Sequence, residues 1–524
     1  MIGVKDDNFH NMNLFETIFA NDPSATAIVS GSQSITYREL RTRIIRMAQA
    51  LSSLGVQTGD RVALLLHDCS EFVEAFIAIC SSGAIAVPIN PAVKLDAQCS
   101  ILNNSGAQFL LTENELCNAL LTDASEKLQQ LRHVVVIESN EARSPHQTLQ
   151  ELMDATASAE LPEFPIPTKD EPAFILYTSG STGEPKGAIH SQADIFYTNN
   201  SFCREVLKLT NRDRLFSSSR LPFAYGLGNS LSFPLLNGAT SILCAEKPTP
   251  DVISRVFVES QPTIFFGVPV VYNLLLDQHR KGRILNTSSL RLCISAGEAL
   301  PAHLGESWEK EFGVQVLDGI GSTEMLHMFM SNHDKDVRYG SSGKLLAGYE
   351  ARLLDEQGSL VEGTEGTLWI KGDSAAKGYW HQPEQTSRTF VDGWVRTGDL
   401  YRRENSYWYY MGRSDDCFKS SGQWVSPVEV EGVLIRHNYV QSSAVVEDFD
   451  GNGLSCPCAF VVCHGVKSEA ELENELRELA DASLPRFKRP KRYLFVKELP
   501  YTATGKIQRF KLRQALRSND TTSL

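Results

Sequence analysis

What most constrains the fold of this chain is an alternation of strand-like and helix-like patterning that begins at Ala27 and continues to Ile137. A strand from Ala27 gives way to a helix with Leu40, Ile44, Met47, Leu51 and Leu54 on one face, and then to a strand from Arg61 to Leu66. A helix around Glu71 to Cys80, a strand from Ala84 to Ile89 and another near Val134 to Ile137 extend the series. A polar connection rich in Ser, Glu and Pro then spans Glu151 to Glu171. Such alternation implies an α/β layered fold, and no internal period points to repeats.

At 524 residues the chain is too long for one core, and 42% apolar with 22% charged residues is ordinary for soluble globular domains, so more than one domain is expected. A net charge of −13 argues against a general nucleic-acid binder, because counterion release needs a basic surface. The eleven cysteines are odd in number and scattered, and Cys456-Pro-Cys458 has neither zinc-knuckle nor redox-pair spacing, so they read as reduced packing residues. Met1 to Asn13 lacks a basic region followed by an apolar core, and the most apolar window, Phe72 to Ile89, is interrupted by Glu74 and a Ser-Ser-Gly break. Neither a membrane span nor a secretory signal is expected, and the terminal Thr-Ser-Leu only half resembles a peroxisomal address, which leaves a cytoplasmic protein as the expectation.

The polar connection delivers the most chemically loaded stretch, Tyr177-Thr178-Ser179-Gly180-Ser181-Thr182-Gly183-Glu184-Pro185-Lys186-Gly187. Glycines permit the positive φ values that turn successive N–H groups inward as an anion nest, hydroxyls add donors and Lys186 brings a mobile charge. A polyphosphate fits such a concavity. A Walker A loop would close on Gly-Lys-Ser/Thr, whereas Pro185-Lys186-Gly187 has neither the extra N–H nor a magnesium-binding hydroxyl, which disfavours a kinase or GTPase.

Further along, Arg220 to Asn229 mixes aromatic and small residues (Phe223-Ala224-Tyr225-Gly226-Leu227-Gly228-Asn229), a composition that lines a flat slot for a ring or simply makes a tight turn in the core. Two Gly-rich turns follow apolar strands, Ser295-Ala296-Gly297-Glu298-Ala299 and Asp318-Gly319-Ile320-Gly321-Ser322-Thr323-Glu324. Loops after strand ends are where α/β proteins bind ligands, and Glu324 is either a carboxylate suited to magnesium or an acid favoured at a helix start. Thr397-Gly398-Asp399 and Gly412-Arg413-Ser414-Asp415-Asp416 offer an Asp for ribose hydroxyls and an Arg for ribose or phosphate. A boundary is expected at about Asp415, because a separately patterned α+β segment follows. It has strands near Ala444 to Val446, Ala459 to Val462 and Tyr493 to Val496, and a helix opened by the Ser468–Glu471 capping box that buries Leu472, Leu476 and Leu479. Lys506 stands in the glycine-flanked turn Thr504-Gly505-Lys506, and Arg486, Lys488, Arg489, Lys491 and Arg492 form a basic run suited to the phosphates of CoA or to an ordinary solvated face.

These motifs, in this order and over nearly the whole chain, resemble the adenylate-forming superfamily of acyl-CoA synthetases, luciferases and adenylation domains. The resemblance implies a large N-terminal domain (1–414) of layered αβ subdomains with a distorted β-barrel, and a small mobile α+β C-terminal domain (415–524). It implies that Thr178, Ser179, Gly180, Ser181, Thr182, Gly183 and Lys186 hold the pyrophosphate end of ATP, that Gly297, Glu298, Ala299, Asp318, Gly319 and Ile320 frame adenine, and that Thr323 meets the α-phosphate. Glu324 takes the place of the magnesium ligand, Asp399 and Arg413 of the ribose ligands, Asp415 of the hinge and Lys506 of the catalytic lysine.

Within that superfamily, Phe223 to Asn229, Asp318 to His327 and Trp424-Val425-Ser426-Pro427 look most like the benzoate- and anthranilate-CoA ligases. By that similarity Ala224, Tyr225, Gly226, Gly297, Ile320, Gly321 and His327 line the acyl pocket, although a lone His after an acidic residue serves equally as a core hydrogen-bonder. Ser420, Ser421 and Gly422 face the pantetheine channel once the small domain rotates. The expected reaction activates a benzoate-type acid with Mg-ATP to an acyl-AMP and passes it to CoA. Two other readings stay open here: an aryl adenylation enzyme that loads a carrier protein, and a non-catalytic nucleotide or acyl-adenylate sensor.

Overall fold

The structure, a computed structural model, describes residues 12–128, 130–137, 147–156, 160, 162–179, 185–355, 357–361, 364–465, 468–501 and 507–518, with the backbone alone at 123, 125 and 179. The expected alternation becomes two large sheets. The first has seven strands in the order Gln147–Thr148, His133–Val136, Phe109–Thr112, Arg61–Leu65, Ile85–Ile89, Phe174–Ser179 and Pro185–His190, parallel except for the hairpin made by the last two. Its helix Ser70–Ser81 is buried on every face, as the apolar window requires. Fully sequestering Phe72 and Phe76 there contributes about 2–3 kcal/mol each.

The second sheet has nine strands in the order Lys344–Leu345, Met328–Ser331, Val316–Gly321, Leu292–Ser295, Ile264–Gly267, Arg214–Ser217, Thr240–Leu243, Thr26–Ser30 and Gln33–Thr36. Its six central strands are parallel, so the loops that leave Arg214–Ser217, Leu292–Ser295 and Val316–Gly321 emerge along one edge. Helix Tyr37–Ser53 starts with a Thr36–Glu39 capping box and buries Leu40, Ile44, Met47 and Leu51, the face read from the sequence.

Beyond the large sheets, the expected barrel region is a five-stranded antiparallel sheet of Glu350–Leu354, Glu365–Lys371, Phe390–Val391, Trp394–Glu404 and Tyr407–Arg413. The small C-terminal part carries a two-stranded hairpin, Phe418–Ser420 with Gln423–Val425, and a three-stranded sheet of Val440–Phe449, Ser455–Cys463 and Arg492–Phe495 under helices Pro427–Leu434, Glu469–Ser483 and Arg509–Ser518. The fold class is therefore as expected, a large N-terminal α/β domain and a smaller α+β C-terminal one.

One boundary differs. The polar connection expected from Glu151 begins inside a helix, Leu149–Ala155, because Thr148 and Glu151 cap each other reciprocally and so nucleate a turn that composition alone hides. All eleven cysteines are free thiols. Among the described residues no helix is long and apolar enough to cross a membrane.

Candidate functional site

Strands Phe174–Ser179 and Pro185–His190 put Thr178 opposite Lys186 and Tyr177 opposite Gly187 at the mouth of the hairpin. Gly180, Ser181, Thr182, Gly183 and the Ser179 side chain lie outside what the structure describes. Gly187 is required there, since a Cβ would come within 2.8 Å of the Tyr177 ring and 2.7 Å of Ile175. Residues 377–380 then run along the outer strand of the hairpin: Lys377 N donates to Ile189 O, Ile189 N to Gly378 O and Trp380 N to Gly187 O. This lays Tyr379 beside Lys186, whose Nζ stands 5.7 Å from the ring centroid.

The strand Val316–Gly321 carries the next group. Ser295 pairs with Asp318 across the parallel ladder, so the Gly297–Ala299 turn and the Asp318–Ile320 stretch meet at the sheet edge. Gly297 holds φ at +91°, a value that disfavours any side chain. Asp318 is buried; Leu300 N donates to its Oδ2 at 3.3 Å and its Oδ1 has no partner. Burial pushes this carboxyl up to about 8. An orphaned acceptor of this kind fits the exocyclic amine of a nucleobase.

After Gly321 the Ser322 hydroxyl accepts Met325 N at 3.2 Å and closes the short turn Thr323–Met325. Leu326 follows at φ +63° and ψ −40°, and His327 N bonds back to Met325 O at 2.8 Å, which is the strained γ-turn that non-glycine residues rarely adopt. That reversal sends Glu324 and His327 to opposite sides. Glu324 is half-buried. Its Oε1 accepts the Tyr379 hydroxyl at 2.7 Å, and among the described residues its Oε2 carries no hydrogen bond. No cluster of three or more His, Cys, Asp or Glu occurs among the described residues, so a metal here is one that meets a single carboxylate and arrives with its other oxygen ligands, as magnesium does on a polyphosphate.

His327 faces the other way and is buried. Its Nε2 lies 3.2 Å from Asn229 Oδ1, and its ring packs on Phe233 at 4.6 Å, Phe202 at 5.2 Å and Tyr225 at 5.6 Å. Burial pulls its pKa down to about 3, so the imidazole is neutral. The Tyr225 hydroxyl reaches Ile294 O at 3.3 Å, and Ile320 packs in the same apolar cluster. Glycine is needed at two points here because backbones pass close by: a Cβ on Gly226 would lie 2.0 Å from Arg220 O, and one on Gly321 2.4 Å from His327 O. Ala224 and Gly226 sit in the helical turn Ala224–Leu227, which runs on into the π-helical turn Gly228–Ser232 that buries Asn229.

Asp399 and Arg413 are direct partners on adjacent antiparallel strands; Arg413 Nη1 donates to Asp399 Oδ1 at 3.0 Å and to Thr397 O at 2.8 Å. The chain leaves the five-stranded sheet there, turns through Ser414 to Asp416 with Asp415 exposed, and enters the small domain at Phe418. Ser421 and Gly422, at φ +54° and +77°, form the two-residue turn of that hairpin, with Ser420 at its foot. Lys506 lies outside the described residues, but Tyr501 and Ile507 pair on either side of its loop. Burial raises the Tyr501 phenol above its ordinary range.

Four of the five cations of the basic run pair with acids elsewhere in the small domain. Lys488 pairs with Glu429, Arg489 with Asp481, Lys491 with Asp450 and Arg492 with Asp448. Sequence reasoning missed Tyr379 and His190, whose partners Glu324 and Thr323 lie far away in the chain, and Asp194, which partners His190. It named Asn229 only as part of a motif.

Against known proteins, the chain matches the family described as AMP-binding enzyme over residues 15–380 and the AMP-binding enzyme C-terminal domain over 429–506. It is 41% identical over 506 residues to the benzoate–CoA ligase of Thauera aromatica, covering 95% of this chain and 94% of that one. The crystal structure of the anthranilate CoA ligase AuaEII in complex with anthranoyl-AMP superposes with a TM-score of 0.91 at 36% identity and 98% coverage of both chains. A benzoate CoA ligase from Burkholderia xenovorans LB400 gives a TM-score of 0.85 at 38% identity, covering 96% of this chain and 100% of that one.

Proposed function

The chain belongs to the AMP-binding enzyme family, and on that premise we propose that it is an AMP-forming aryl-CoA ligase that converts benzoate or 2-aminobenzoate to the CoA thioester through an aryl-AMP. One observation carries the reading. A single continuous stretch, 316–327, supplies the orphaned Asp318 oxygen on one side and, after the reversal at Leu326, the His327 wall of an aromatic slot on the other. Thr323 and Glu324 lie between them, where a ring-borne carboxylate and the α-phosphate of ATP would meet.

In the first half-reaction a carboxylate oxygen attacks the α-phosphorus in line and pyrophosphate departs. Asp318 accepts from the adenine amine, Asp399 from the ribose hydroxyls with Arg413 holding that carboxylate in place, Thr323 donates to the α-phosphate, and Lys186 with the 178–183 stretch receives the pyrophosphate. Glu324 would hold the magnesium, which when bound offsets the charge of the phosphates. Lys506 is assigned to the space between the two anionic reactants, where a cation lowers their repulsion. The neutral aromatic wall of His327, Phe202 and Phe233 suits an aromatic ring.

In the second half-reaction the thiol of CoA attacks the acyl carbonyl and AMP leaves. We assign residues 1–414 to the adenylating domain and 415–524 to a domain that rotates about Asp415, bringing Ser420, Ser421 and Gly422 to the pantetheine. The exposure of Asp415, between the last strand of the five-stranded sheet and Phe418, supports that pivot.

The test is to incubate the protein with Mg-ATP, CoA and a panel of benzoates and aliphatic acids, and to identify products by mass spectrometry. Aryl-CoA from one or two benzoates is the expected result. Aryl-AMP that persists with CoA present would point instead to a carrier protein as acceptor, and silence across the panel with ATP still bound would make the protein a sensor.

A further inference from the structure

Three separately encoded pieces of the site converge on one side chain. Tyr379 is 7% exposed, its backbone bridges Ala188 on the outer strand of the phosphate hairpin, and its ring is wedged edge-on against Phe390 at 5.4 Å. Its N–H donates to Thr386 Oγ1 at 2.9 Å. The neighbouring Ala376 N donates to Glu324 O at 2.7 Å, so the same short segment fixes the backbone of Glu324 as well. From this rigid seat the hydroxyl donates to Glu324 Oε1 at 2.7 Å, and the ring face lies beneath Lys186 Nζ at 5.7 Å. A phenol is protonated at neutral pH and a carboxylate only accepts, so Tyr379 is the donor in this bond.

We propose that Tyr379 is a positioning residue that aligns both arms of the metal–polyphosphate site: its hydroxyl occupies one oxygen of Glu324 and leaves Oε2 for the divalent cation, while its ring holds Lys186 toward the phosphates. The inference rests on the reading of Glu324 as the metal ligand and assigns Tyr379 a role through it. A carboxylate that could rotate freely would lose orientation each time the nucleotide left. One fixed by a buried phenol presents the same oxygen at every turnover. The ring acts on Lys186 by the attraction of a cation to a π face, which keeps the chain extended along the hairpin without neutralising its charge.

The test uses Mn²⁺ as the metal probe and α,β-methylene-ATP as the nucleotide, with bound Mn²⁺ followed by electron paramagnetic resonance on the whole chain. Tyr379→Phe is expected to weaken Mn²⁺ binding about tenfold to a hundredfold, as loss of a partner that orients a ligand does, with the thermal midpoint held within a few degrees. Glu324→Gln weakens it further, and adding Tyr379→Phe to Glu324→Gln changes nothing more. Tyr379→Leu, which also removes the ring, lowers metal-free nucleotide affinity relative to Tyr379→Phe, and that difference vanishes in Lys186→Ala. Wild-type Mn²⁺ affinity in Tyr379→Phe, while Glu324→Gln loses it, overturns the hydroxyl's role. Equal nucleotide affinity of the Phe and Leu variants overturns the ring's. Wild-type Mn²⁺ affinity in Glu324→Gln would overturn the metal-ligand reading itself and leave Tyr379 nothing to position.

Discussion

His190, on the outer strand of the phosphate hairpin, donates its Nε2–H to the carbonyl of Thr323 at 2.7 Å, and its Nδ1 stands 2.8 Å from Asp194 Oδ2, with both side chains fully buried. A carbonyl only accepts, so Nε2 must carry a proton. The contact ties the seven-stranded sheet to the turn that follows Val316–Gly321 in the nine-stranded one, and it fixes Thr323 relative to Lys186. Asp194 is also held by the Ser191 hydroxyl at 2.8 Å, so removing the imidazole leaves that carboxylate with one of its strongest partners gone.

His190→Ala is therefore expected to cost about 1–3 kcal/mol of stability, the penalty for leaving a buried hydrogen-bonding partner unsatisfied. It should also slow aryl-AMP formation more than thioester formation from synthetic aryl-AMP, because the displaced carbonyl belongs to the residue assigned to the α-phosphate. Denaturant melts and the two half-reactions measured separately check this; equal slowing of both would detach His190 from Thr323.

Asp399 and Arg413 predict a nucleotide-specific defect. A hydrogen bond to a charged group contributes about 1.5–3 kcal/mol, so Asp399→Asn should raise the KM for ATP roughly tenfold to a hundredfold and leave the KM for the aromatic acid unchanged. Gly398→Ala should do the same without touching the nucleotide. Gly398 has φ +74°, and a Cβ there would lie 2.8 Å from Arg413 Nη2, so the substitution strains the turn and displaces the guanidinium. Steady-state kinetics with each substrate varied in turn is the measurement.

Asp318 predicts a pH dependence. Its carboxyl titrates at about 8 in the fold against an unfolded value of 3.8, so between those values the native state holds a proton that the unfolded chain has released. Stability must then fall as pH rises from about 4 to 8, with the full benefit present below the unfolded pKa. Asp318→Asn removes this slope. The difference in melting temperature between the Asn variant and wild type should grow in favour of the variant from pH 5 to pH 8; a constant difference would mean that the carboxyl is ionised throughout.

How much of this was legible beforehand depended on whether a residue's role has a local signature. Leu40, Ile44, Met47 and Leu51 announce a buried helix face because burial follows the 3.6-residue period. The Asp318 to Glu324 run reads as a turn, whereas Asp318 to Gly321 extends the strand Val316–Gly321, because ladder pairing holds the glycines in the sheet. Tyr379 gives no such signal. Its value comes from meeting Glu324 across 55 residues, and a lone Tyr in a turn is ordinary composition. His190 is hidden likewise, 133 residues from its partner. The basic run, read as either a phosphate patch or a solvated face, carried no local signal to decide between them: the fold brings Glu429, Asp481, Asp450 and Asp448 to Lys488, Arg489, Lys491 and Arg492 from elsewhere. Charge spacing is local, whereas neutralisation is not.

His327 separates wall from substrate contact. Its imidazole is neutral at every physiological pH and bonds Asn229, which is fully buried, so His327→Leu should leave an unpaired polar group and cost about 1–3 kcal/mol. Replacing both partners, as in His327→Leu with Asn229→Leu, removes the orphan and should recover part of that loss despite the second substitution. If the imidazole only builds the wall, the KM for benzoate should follow stability, weakening in the single variant and returning in the double. If it also meets a ring substituent, the double variant should regain its melting temperature while discrimination between benzoate and 2-aminobenzoate stays altered. Either result leaves the KM for ATP unchanged, since the γ-turn at Leu326 directs His327 away from Glu324. A rise in the ATP KM in both variants would show instead that the turn itself depends on the buried His327–Asn229 bond.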